Sequence, residues 1–137
     1  MRKTLKTIAA LAVASSALIG GHASAVTELK CALQGANPPS SCSTGVATVK
    51  AGKPYAVLFA IQSVGTSAAS ATFALKNIDL PLTIVTKSLS VKNDYKAWSA
   101  AYTNYDSVPM RYRGYVSKYN RPSGDLNGYA KVSVIIN

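Results

Sequence analysis

The sequence predicts an all-β fold: one small β-sandwich of about seven short antiparallel strands, following a cleaved export signal. Three observations carry this. Hydrophobic residues in the later part of the chain recur with a period of two rather than 3.6. The alternating runs are short and punctuated by Gly, Pro, Asn and Ser. Once residues 1–25 are removed, the remaining 26–137 suffice for one domain and are too few for two.

Residues 1–25 have the order of an export signal. Arg2, Lys3 and Lys6 make a basic start, Thr7–Gly21 is apolar and small, and Ala23 and Ala25 supply the A-x-A pattern that a signal peptidase accepts. The apolar run is shorter than the roughly 20 residues that span a bilayer, so no transmembrane segment is expected in the mature form. Cys31, preceded by Glu28-Leu29-Lys30, is in the wrong context for lipid attachment at the cleavage point. The expectation is an exported protein, periplasmic or extracellular. There, Cys31 and Cys42 form a structural disulfide around the segment containing Asn37-Pro38-Pro39.

Along the mature chain, Val46–Val49 can supply a short strand. In Lys53–Ser63 the bulky Tyr55, Val57, Phe59 and Ile61 alternate with Ala56, Leu58, Ala60 and Gln62, marking a strand with one well-buried face. Gly65–Ser70 reads as a loop and Thr72–Ile78 as a strand, broken by Asp79-Leu80-Pro81. Leu82–Thr86 and Leu89–Val91 read as two further extended pieces. Tyr95, Trp98, Tyr102 and Tyr105 fit a helical stripe. Yet Lys96, Trp98, Ala100, Tyr102 and Asn104 also alternate, and the aromatic content favours a strand with Trp98 in the core. Met110–Tyr119 alternates next, with Met110, Tyr112, Gly114, Val116 and Lys118 inward. The turn-forming segment Asn120–Gly128 follows. Finally Tyr129–Ile136 places Ala130, Val132, Val134 and Ile136 on one side. At fold level the pattern resembles an immunoglobulin-like sandwich, without that family's Cys…Trp…Cys spacing.

Composition narrows the chemistry. The only histidine, His22, lies in the leader, so Ser-His-Asp and Cys-His nucleophiles and His-based zinc sites are excluded from the mature protein. The five carboxylates Glu28, Asp79, Asp94, Asp106 and Asp125 are scattered, with no calcium-loop or paired-acid spacing, and no phosphate-binding glycine loop is present. A non-enzymatic protein without metal or cofactor is expected. The 15 Lys and Arg less Arg2, Lys3 and Lys6 leave 12 against 5 acidic residues, a net of +7. Such a field favours an anionic polymer or surface, or an acidic protein, as partner.

The C-terminal third concentrates tyrosines among cations. If the last two strands pair, Arg111, Arg113, Tyr115 and Tyr119 share one surface with Tyr129 and Lys131, and Arg121 stands at its end. Guanidinium forks bind phosphate, sulfate or carboxylate, while phenol rings stack on bases or sugars. The expected function is an exported binding module recognising polysaccharide, lipopolysaccharide, nucleic acid or an acidic protein through this face. One alternative is the structural subunit of a surface filament or matrix, in which the chain self-assembles. Another is a secreted inhibitor or toxin that uses the disulfide-clamped loop.

Overall fold

A computed structural model describes residues 26–65, 67–121 and 126–137. The export signal (1–25) and part of the Asn120–Gly128 segment lie outside these residues. Nine strands form among the described residues: β1 (Thr27–Gln34), β2 (Cys42–Ser43), β3 (Ala47–Val49), β4 (Pro54–Ser63), β5 (Ala69–Asn77), β6 (Leu82–Val91), β7 (Asp94–Thr103), β8 (Met110–Asn120) and β9 (Tyr129–Ile136). They build two packed antiparallel sheets, one in the order β1-β9-β4-β7 and the other β2-β8-β5-β6, with β3 also on β8.

The connectivity is that of one long hairpin wound around a core. β1 pairs with β9, β2 and β3 with β8, β4 with β7, and β5 with β6. The β4–β9 and β5–β8 pairings then close each sheet. With β2 and β3 taken as one interrupted strand, this is the eight-stranded double Greek key of a jelly roll. The sandwich expectation holds, with nine strands in place of about seven.

The alternation places the core. From β4, Val57, Phe59 and Ile61 point between the sheets, meeting Phe73 and Leu75 of β5, Val116 of β8 and Val132 and Val134 of β9; all are fully buried. Each such side chain contributes about 1.5–3 kcal/mol. Phe59 stacks on Phe73 across the sandwich and on Trp98 of the neighbouring strand, at 5.3 and 5.4 Å between ring centroids. The Tyr95–Tyr105 segment is thus a strand over most of its length, because pairing with β4 sets Trp98 beside Phe59 and Tyr102 beside Tyr55. Gly114 allows the two sheets to approach: a Cβ there would lie 2.7 Å from Val132 Cγ2.

Two elements differ from the sequence expectation. Leu82–Val91 is one strand, not two pieces, since every residue from Thr86 to Val91 finds a partner on β5. β1 is a strand that begins before the disulfide and runs past Cys31 to Gln34, with Leu29, Cys31 and Leu33 less exposed than their neighbours. The Cys31–Cys42 bond is formed and ties β1 of one sheet to β2 of the other.

Candidate functional site

β8 and β9 do not pair. They belong to opposite sheets, so the shared Arg/Tyr surface expected from the sequence is not assembled. Greek-key topology sends each strand to a distant partner, β8 to β5 and β9 to β1 and β4. Tyr129 and Lys131 accordingly face outward on the β1-β9-β4-β7 sheet, where the Lys131 ammonium sits 5.6 Å from the Tyr129 ring centroid. Burial, and then the neighbouring Tyr95, raise the Tyr129 phenol above its ordinary pKa.

Tyr119 and Arg121 serve the fold rather than the expected face. Lys118 adopts a positive φ of 55°, and the β5–β8 register slips between Ser70 and Thr72. This bulge inverts the alternation. Lys118 is therefore exposed although its parity predicts an inward position, and Tyr119 is buried although its parity predicts an outward one. Arg121 is half-buried and donates from Nη2 to the Gly35 carbonyl, fastening the end of β8 to the turn after β1.

Arg111, Arg113 and Tyr115 remain together on the outer face of the β2-β8-β5-β6 sheet. Lys76 of β5, which sequence reasoning missed, lies directly opposite Arg113 in the ladder. Its ammonium is 4.9 Å from the Tyr115 ring centroid. Arg113 is half-buried, and its Nε is enclosed without a hydrogen-bond partner. Arg111 is neutralised: it donates from Nε and Nη2 to Asp79 Oδ1 at 3.0 and 2.7 Å, and its backbone N–H donates to Oδ2 at 2.8 Å. Those bonds hold the Asp79 carboxyl below its ordinary pKa, and Asp79 in turn raises that of Arg111.

Beyond the cations the face is hydroxylated. Ser117, Thr72 and Ser88 form a row across β8, β5 and β6, with Thr72 Oγ1 and Ser88 Oγ 3.4 Å apart. A shallow depression of about 310 Å³ beside it is lined by Ser41, Ser43, Lys76, Tyr115 and Ser117 among others. The alternation within Thr72–Ile78 makes Lys76 visible as an outward residue. Its partner on β8 is not visible, because strand pairing at long range leaves no local mark in sequence.

The fold and face define a double-sheet β domain with a basic, hydroxyl-rich outer surface. No family model matches the chain, and no curated protein matches it. Among solved structures the chain is similar to one described as the structure of infectious bursal disease virus, Gt strain. The identity is 15%, the match covers 82% of this chain and 33% of that chain, and the TM-score is 0.35. This chain thus spans a third of the length of that one, and a likeness so distant carries no argument about function.

Proposed function

We propose that this protein is an exported, non-enzymatic binding module whose β8-β5-β6 outer face takes an anionic partner. The observation that carries the reading is the like-charge pair Lys76–Arg113, set directly opposite one another on adjacent strands. Like charges in that position destabilise a sheet, whereas an opposite charge stabilises it. A sheet built for stability alone would place a carboxylate there. Among the described residues, the acidic group bonded at this rim is Asp79, and it is committed to Arg111. A sulfate, phosphate or carboxylate between the Lys76 ammonium and the Arg113 guanidinium would relieve the repulsion. The Tyr115 ring and the Ser117–Thr72–Ser88 row would then meet the ring faces and hydroxyls of a polymer.

Export is supported by the leader pattern and by the disulfide, which persists in oxidising compartments. The test is elution from immobilised heparin as a function of salt. Wild-type protein should be retained at physiological ionic strength. The Lys76→Gln, Arg113→Gln variant should elute earlier, with the slope of log affinity against log salt reduced by about 0.7–0.9 for each ion pair removed. Equal elution of the two proteins overturns the reading.

A further inference from the structure

A second site lies at the β7 edge of the other sheet, away from the basic face. Three tyrosine rings run from the core to the surface: Tyr112 lies 4.3 Å from Tyr55, and Tyr55 lies 5.4 Å from Tyr102, in each case nearly parallel. Tyr55 and Tyr112 are buried, and Tyr102 is half-buried. Outward from this stack is a shallow recess of about 420 Å³, lined by Pro54, Tyr55, Ala101, Tyr102, Thr103 and Tyr105. Tyr105 is 91% exposed, although it is one of the largest apolar surfaces a side chain can offer.

The backbone that presents Tyr105 is held firmly. Its neighbour Asn104 is 2% exposed. The Asn104 Nδ2 group donates to the carbonyls of Val49, Lys50 and Val108, and its Oδ1 accepts from the Asp106 N–H. Its backbone N–H donates to the Lys53 carbonyl, and its own carbonyl accepts from the Gly52 N–H. One buried amide therefore joins the β3–β4 turn to the β7–β8 connection. Such anchoring lowers the backbone part of the conformational cost of ordering this segment on binding. Burial, and then a hydrogen bond with Tyr112, raise the Tyr55 phenol above its ordinary pKa, and burial raises that of the half-buried Tyr102.

We propose that this recess is a carbohydrate subsite, with Tyr105 as the stacking platform. A pyranose ring presents one face of C–H groups and a rim of hydroxyls. Tyr105 and Tyr102 match the face, and the Tyr102 phenol and the Thr103 hydroxyl match the rim. Pre-formed concave sites combine apolar walls with a few fixed polar groups in this way. A proline-rich peptide docks in a groove between exposed aromatic rings, whereas among the rings lining this recess Tyr105 alone is exposed, with Tyr102 half-buried and Tyr55 buried. The subsite stands independently of the Lys76–Arg113 face.

The experiment is saturation-transfer NMR with cellohexaose, chitohexaose and xylohexaose, and with decaproline as the competing probe. At least one saccharide should bind wild-type protein. Tyr105→Ala should weaken it at least about fivefold, as expected for a central aromatic group, and Tyr105→Phe should retain it. Lys76→Gln with Arg113→Gln should leave it unchanged. Because Tyr105 is exposed, Tyr105→Ala should keep the wild-type near-UV circular dichroism spectrum. The proposal is overturned if none of the three saccharides binds, if Tyr105→Ala binds as wild type, or if decaproline alone binds through Tyr105.

Discussion

At the scale of single residues, Asp79 governs how much positive charge the candidate face offers. Its carboxylate takes three hydrogen bonds from Arg111, so one of the face's guanidiniums is already matched. Those bonds depress the Asp79 pKa in the folded protein. The linkage follows in sign: the pair's contribution to stability is complete above the ordinary carboxylate pKa and is lost as pH falls through the depressed one. Over the same fall Arg111 loses its partner and becomes available to a ligand that remains anionic. Heparin sulfates do remain so. Retention of wild-type protein should therefore increase as pH drops through the acid range. Asp79→Asn keeps the side-chain shape, removes the charge and should be retained more strongly than wild type at neutral pH. Its retention should rise less on acidification than that of wild type. Chromatography of both proteins between neutral pH and about pH 2, well below the ordinary carboxylate pKa of about 3.9, checks this, and parallel curves would contradict it.

At the scale of elements, β6 and β7 are the exposed edges on one side of the sandwich, and each carries a lysine at an inward register position. Lys87 of β6 stands opposite the buried Phe73, with its ammonium 4.8 Å from the Trp98 ring centroid. Lys96 of β7 stands opposite the buried Ile61. Charged groups turned inward on edge strands block pairing with a second sheet edge. Replacing both, Lys87→Val with Lys96→Val, should leave the monomer folded and make it associate. Light scattering over a wide concentration range should show dimers or larger species absent from wild type. These edges also show what is legible in the sequence. Alternation locates β4, β5, β7, β8 and β9 because each sets large residues against the core at every second position. Within β6, Lys87 interrupts the apolar series, so the strand reads as two pieces. In β8 the bulge at Lys118 changes the side on which Tyr119 falls, and no feature of Val116–Tyr119 announces an extra residue. The candidate face suffers most. Arg111, Arg113 and Tyr115 follow from local alternation, whereas Lys76 is set beside them by a pairing between strands far apart in sequence.

At the scale of the whole molecule, the wound hairpin makes the first and last strands neighbours, and the disulfide guards that closure. β1 is an edge strand whose backbone pairs only with β9 among the described residues, and most of its side chains are exposed. Its apolar burial is therefore modest, with Leu33 alone fully enclosed. The Cys31–Cys42 bond spans 11 residues of sequence and fastens this strand to β2 in the opposite sheet. Chain-entropy reasoning assigns such a loop about 3 kcal/mol, a large part of the roughly 5–15 kcal/mol typical of small domains. The Cys31→Ser, Cys42→Ser variant should accordingly lose about 2–4 kcal/mol in denaturant titration. The loss should be uneven. β4, β5, β8 and β9 share the Phe59–Phe73 core and keep their pairings, so their amides should retain protection nearest the global value. Amides of β1 from Leu29 to Leu33 exchange by local release of one edge strand, and their protection should fall furthest. Hydrogen exchange resolved by residue distinguishes this from uniform destabilisation. Equal loss of protection in β1 and β4 would mean that the disulfide stabilises the domain as a unit rather than holding its first strand in place.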